Sequence, residues 1–235
     1  MQAPKRKAAA KRDDPHRRKK PAARARRGSR GVTLGPDTIV AAALGLIDRD
    51  GLGGLSFRRL GQALGCEAMS LYHYFPSKAH LIDAVIDAVF GSLAIPPRQP
   101  DWIDRLRRAC RSYRAMALAH PKLYPLISTH RMNTPTGVKK LDEIIGVFRD
   151  AGFDDAMAAR LFRDVGYFLT GAALDETAGY AKGPSAAMPV SDAEVAAHCP
   201  NLAAVAPFFK PQHFEATFEQ GLDLLLDGIA RLKTG

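Results

Sequence analysis

The stretch that most constrains this chain is Leu55 to Phe90, LSFRRLGQALGCEAMSLYHYFPSKAHLIDAVIDAVF. Ser56 is placed as an N-cap, and Leu55, Leu60 and Leu64 give a short helix one apolar stripe. Gly65 supplies the sharp break needed where two helices cross steeply. A second short helix is expected from Glu67 to about Tyr74, stopped by Pro76. Ser77 then caps a third helix, with Leu81, Ile82, Val85, Val89 and Phe90 at helical spacing. Helix, glycine turn, helix is a helix-turn-helix layout, whose second helix enters a DNA major groove.

The remainder of the chain repeats the helical pattern. Gly35-Pro36-Asp37 opens a first helix with a permissive cap, a proline at the first position and an acid at the positive end. Ile39, Ala43, Leu46 and Ile47 form its apolar stripe, and Gly51 ends it. GLGG at 51–54 follows a helix rather than a strand, so it reads as a stop and not a nucleotide loop. Three prolines near 94–100 mark a link. Helices are then expected over 101–119, around 122–127, from Thr134-Pro135 to Gly152, from Asp154 to about Tyr180, and from His213 to about Leu232. Ser191-x-x-Glu194 is a capping-box pattern inside the otherwise irregular stretch 181–212. No strand periodicity occurs anywhere. The expected fold is all-α.

Charge divides the chain. Residues 1–32 hold thirteen Lys and Arg against two Asp, while 33–235 carry 21 basic and 22 acidic residues. The basic leader has almost no apolar side chain larger than alanine, so it cannot offset its ordering entropy and is expected to be disordered. Two readings stay open for it: a solvated tail, or an arm lying on DNA phosphates or in the minor groove. Region 33–90 has only Arg49, Arg58, Arg59 and Lys78 against six acids.

No apolar run reaches the roughly 18 residues needed to cross a bilayer, and the N-terminus lacks the apolar segment of a secretory signal. Cys66, Cys110 and Cys199 have no paired metal-ligand spacing, which fits a reduced, cytoplasmic protein. The seven histidines form no H-E-x-x-H, and neither nucleophile elbow nor P-loop is present. No catalytic residue, metal site or cofactor is assigned.

The run G-C-E-A-M-S-L-Y-H-Y-F-P-S-K-A-H-L, Gly65 to Leu81, resembles the signature of the tetracycline-repressor (TetR) family. That pattern is a glycine turn, Leu-Tyr-x-His/Tyr-Phe, Ser/Asn-Lys, then leucine. The resemblance covers Leu34 to Phe90, about a quarter of the chain. It implies a three-helix helix-turn-helix DNA-binding domain (33–93), after the basic arm (1–32), plus a larger helical dimerisation and ligand-binding domain (101–235). Positions aligned with Ala68, Met69, Ser70, His73 and Tyr74 face the groove in family members. Tyr72 and Lys78 match phosphate contacts, and Arg58 matches a base contact. From chemistry alone, arginine suits guanine O6 and N7, and Met69 can either touch a thymine methyl or pack inside. Tyr72 and Tyr74 can equally be partly core, and Arg58 a solvated charge.

The resemblance further implies a homodimer through helices 154–180 and 213–232, and a repressor of a palindromic operator on double-stranded DNA, released by a largely apolar small-molecule effector. Tyr113, Met116, Phe148, Phe162 and Phe168 come from the helices that would line its pocket, with His130 as a polar anchor; all are also ordinary core types. An architectural DNA-binding protein without effector, dominated by the basic leader, is the alternative.

Overall fold

Capping residues and glycines set the element boundaries of the computed structural model, which describes residues 34–179, 188 and 190–234. The basic leader 1–32 and the Tyr180 end expected for the long helix lie outside the described residues. Helix α1, Pro36–Asp50, starts from extended Gly35 with Pro36 in its first turn and ends at Gly51, whose φ of 72° suits a residue without Cβ. A 3₁₀ turn, Leu52–Gly54, leads to α2, Phe57–Leu64. The Ser56 hydroxyl caps α2 by accepting from the Arg59 amide at 3.3 Å. Gly65, left-handed at φ 69°, turns the chain into α3, Ala68–Tyr72. Helix α4, Lys78–Gly91, is capped by Ser77.

Gly61 explains why α3 can lie so close to α2. A Cβ there would stand 2.7 Å from the Cys66 carbonyl oxygen and 3.3 Å from the Ala68 nitrogen. Both are backbone atoms that cannot rotate aside, so the crossing requires a glycine.

After a helix-free link, α5 runs Trp102–Ala119 from an Asp101 cap, and α6 is the single turn Tyr124–Ile127. Helix α7, Pro135–Asp150, has the expected Thr134 cap and first-turn proline. Helix α8, Asp155–Leu174, is capped by Asp154 and widens into a π turn at Asp175–Gly179. The regular helix therefore stops at Leu174, five residues before the π turn ends, and the Thr177 hydroxyl donates back to the Ala173 carbonyl at 2.6 Å. Helix α9, Asp192–His198, carries the full Ser191–Glu194 capping box. Helix α10, Pro200–Val205, is an addition to the reading of 181–212; two 3₁₀ turns then lead into α11, Phe214–Thr234. No strand occurs among the described residues. The fold is all-α.

Two apolar cores organise these helices. The first joins Ile39, Ile47, Leu60, Leu71, Leu81 and Val85 of α1–α4 to Met116, Ala117, Leu123, Tyr124 and Ile127. The second joins Leu106 and Cys110 of α5 to Val147, Phe148, Leu161, Val165, Phe218, Leu222 and Leu226. Helix α5 thus contributes its N-terminal half to one core and its C-terminal end to the other, with half-buried Tyr113 against both. Burial pushes the Cys110 thiol up to about 12, so it stays neutral at ordinary pH. No residue of α9 or α10 is buried.

Candidate nucleic-acid interface

Helix α3 has two unlike sides. Leu71 is fully buried in the first core and anchors the helix. Met69, in contrast, is 71% exposed, Tyr72 43% and Tyr74 40%. Ala68 and Ser70 are half-buried, and Ala68 packs against the first core. His73 is exposed. A helix that only packed would not leave its largest side chains in water.

Neighbouring elements hold these groups in place. The Tyr72 ring stacks on Phe57 of α2 at 4.3 Å between centroids. Tyr74 donates its hydroxyl to the Leu34 carbonyl at 3.0 Å. Lys78, in the first turn of α4, donates to the Leu52 carbonyl at 3.2 Å. Arg58, in the first turn of α2, is exposed and forms no ion pair among the described residues. Its neighbour Arg59 does the opposite: it pairs with Asp50 and donates to the Gly54 carbonyl at 2.9 Å. Arg49 also pairs with Asp50, at 2.9 Å. Of the four cations in 33–90, then, Arg58 and Lys78 are the two not tied up by a carboxylate. They flank α3 in sequence and offer positive charge for phosphates or guanine edges.

The six residues expected around an effector fall in different places. Met116 belongs to the first core, and Phe148 is completely buried in the second. Phe162 and Phe168 are half-buried beside the second core, Phe168 stacked on Phe218 at 5.6 Å and resting on Gly221. The Tyr113 hydroxyl lies 2.9 Å from that of Tyr124, and burial raises the Tyr124 phenol. His130 faces Asp83 of α4 at 3.6 Å. None of the six lines the 410 Å³ cleft between α5 and α11 or the polar 610 Å³ cleft beside Phe153.

Polar cross-links not foreseen from the sequence fill the gaps between helices. His120 Nδ1 lies 3.0 Å from Asp48 of α1, Lys122 donates to the Arg49 carbonyl, and the Thr134 hydroxyl donates to Asp87 of α4. Along α5, Arg107, Arg111 and Arg114 meet Asp223, Glu219 and Glu215 of α11, a three-rung antiparallel ladder. Arg114 is nearly buried, also holds Glu176 at 2.8 Å, and lies 4.7 Å over the Phe218 ring. Arginine spacing on α5 and acid spacing on α11 are each visible in sequence; their pairing across more than a hundred residues is not. Among the described residues no group of three or more His, Cys, Asp or Glu could hold a metal ion, and no helix is long and apolar enough to cross a membrane.

Known proteins match both parts. The family described as "Bacterial regulatory proteins, tetR family" matches residues 39–85, and "Tetracyclin repressor-like, C-terminal domain" matches residues 96–232. The class A tetracycline repressor from transposon 1721 of Escherichia coli is 30% identical over 84% of this chain and 91% of its own. A possible TetR family regulator from Streptomyces coelicolor A3(2) superposes with a TM-score of 0.69 at 33% identity, covering 84% of this chain and all of that one. ActR of Streptomyces coelicolor, solved in complex with actinorhodin, gives a TM-score of 0.68 at 29% identity over 84% of this chain and 96% of its own. With an exposed short helix after a left-handed glycine turn and both family patterns in order along it, the chain belongs to the TetR family of bacterial transcriptional regulators.

Proposed function

We propose that this regulator is a cytoplasmic, homodimeric one-component repressor that binds a palindromic operator and leaves it when a small, largely apolar molecule binds the helical body, 101–235. The observation that carries this reading is α3 with the turn after it: anchored by buried Leu71, they keep Met69, Tyr72 and Tyr74 in solvent, between Arg58 and Lys78, which have no carboxylate partner among the described residues. In this reading Arg58, Ala68, Met69, Ser70, His73 and Tyr74 approach base edges, while Tyr72 and Lys78 hold phosphates. Dimerisation through α8 and α11 is supported by the exposed apolar residues Tyr167 and Leu224, at 65% and 68%. Light scattering of the full chain tests it: a dimer mass that falls to a monomer in Leu224→Arg is expected.

The effector part rests on the likeness to ActR, whose solved complex contains actinorhodin. Tyr113, Met116, Phe148, Phe162, Phe168 and His130 are the side chains proposed to meet the ligand. Met116 and Phe148 are buried in the two cores, so a ligand reaches them only by favouring a more open arrangement, and it shifts the spacing of two reading heads only by binding one spacing better.

The decisive experiment is selection of duplexes from a random-sequence library by the full chain. A specific regulator enriches one inverted repeat and prefers it by roughly 10³ or more over random DNA, whereas an architectural binder driven by the basic leader does not. Arg58→Ala is expected to lose about 1–3 kcal/mol at one base position and relax specificity there. Equal loss on every duplex would reduce Arg58 to a phosphate contact.

A further inference from the structure

Which chemical group on the DNA does the most exposed side chain of α3 recognise? Helix α3 consists of Ala68, Met69, Ser70, Leu71 and Tyr72, and not one of these carries a cation or a carboxamide. The helix therefore cannot make the forked contacts that read guanine O6 and N7 or adenine N6 and N7. Leu71 is committed to the first core, the Ala68 methyl packs on it, and the Tyr72 ring is stacked on Phe57. Ser70 is half-buried. Met69 alone extends a long side chain, 71% exposed, away from the fold.

A thioether has no hydrogen to donate and is a weak acceptor, so what Met69 offers a partner is apolar, polarisable surface. Leaving that surface in water is unfavourable, and contact with another apolar group relieves it. Among the edges of the four base pairs, the major groove presents one apolar group, the 5-methyl of thymine. We infer that Met69 is a specificity-determining residue that reads a thymine 5-methyl group in each half of the operator. This rests on the proposed reading of α3 as the groove-entering helix, and adds which part of the base it senses.

Uracil differs from thymine only by that methyl, so the test compares the two within the duplex selected by the full chain. Each thymine is replaced in turn by uracil, and binding is measured for wild type, Met69→Ala and Met69→Leu. At one thymine per half-site, wild type is expected to lose about fourfold in affinity, the equivalent of about 0.8 kcal/mol for one buried methyl. Met69→Ala is expected to bind thymine and uracil duplexes equally, and Met69→Leu to keep the discrimination. Equal wild-type affinity for thymine and uracil at every position would overturn the inference while leaving a specific regulator. Discrimination that persists in Met69→Ala would overturn it too, by assigning the methyl to another side chain. Failure to enrich any sequence would remove the specific-regulator reading, and this inference with it.

Discussion

The reading head and the helical body are held together in different ways. Within residues 34–91 the turns are set locally, by caps at Ser56 and Ser77 and left-handed Gly65, and the helices follow one another closely around a core that Met116, Leu123 and Tyr124 complete. The body gathers α5, α7, α8 and α11 from far apart in sequence and ties them with buried or half-buried ion pairs, among them Arg105 with Asp150 at 2.7 Å and Arg114 with Glu176. The head thus takes its turns from its own short segment, while the body depends on long-range pairing. The seam where they join is polar as well as apolar, with Asp48–His120 and Asp87–Thr134 crossing it.

The largest expected effect breaks the body and spares the head. Phe148→Ala empties a completely buried site in the second core and should lower stability by about 3–5 kcal/mol. Chemical denaturation measures this, and DNA affinity of the protein that remains folded should be unchanged. Next, Arg114→Met strands the Glu176 carboxylate, which is 7% exposed, and should cost about 3 kcal/mol. The double change Arg114→Met with Glu176→Met should restore most of the loss; if it does not, the ion pair is not what the body lacks.

Gly61→Ala reverses the comparison. Its Cβ would press on the backbone at Cys66 and Ala68, so a destabilisation of about 1–3 kcal/mol is expected. The sharper readout is DNA binding, which should fall well beyond what the stability loss explains, because α3 is displaced. Unchanged binding would mean that the tilt of α3 tolerates adjustment.

The smallest effect concerns pH. The Arg111 guanidinium, by hydrogen bonding, holds the Glu219 carboxyl below its ordinary range. A depressed folded value contributes stability that is present above the unfolded value, about 4.3, and is lost as pH falls through the folded one. Denaturation midpoints between about pH 3 and 6 should therefore drop more steeply in wild type than in Arg111→Ala. The two curves should converge at the acid end, and parallel curves would show that this rung carries nothing.

Local chemistry made the turns and caps of both regions legible from sequence. Ser56, Gly65, Ser77, Thr134 and the Ser191–Glu194 box each act within a few residues, so their partners stand beside them in the chain. The exposed face of α3 was legible as far as its residue types, but burial decided one open alternative: Met69 stands in solvent rather than packing inside. The body was legible as helices and not as a site. Tyr113 finds Tyr124, His130 finds Asp83 and Arg114 finds Glu176 through folding across intervals that no periodicity encodes.

The rungs between α5 and α11 have a consequence for how the body can move. Rungs on both helices recur about once per turn, so sliding one helix by a turn, about 5.4 Å, would hand Arg111 to Asp223 and Arg114 to Glu219. Two of three bonds would re-form after such a jump, and at half a turn none would. The ladder therefore favours registers a whole turn apart over those between them, and the pair of Arg114 with Glu176 favours the present one.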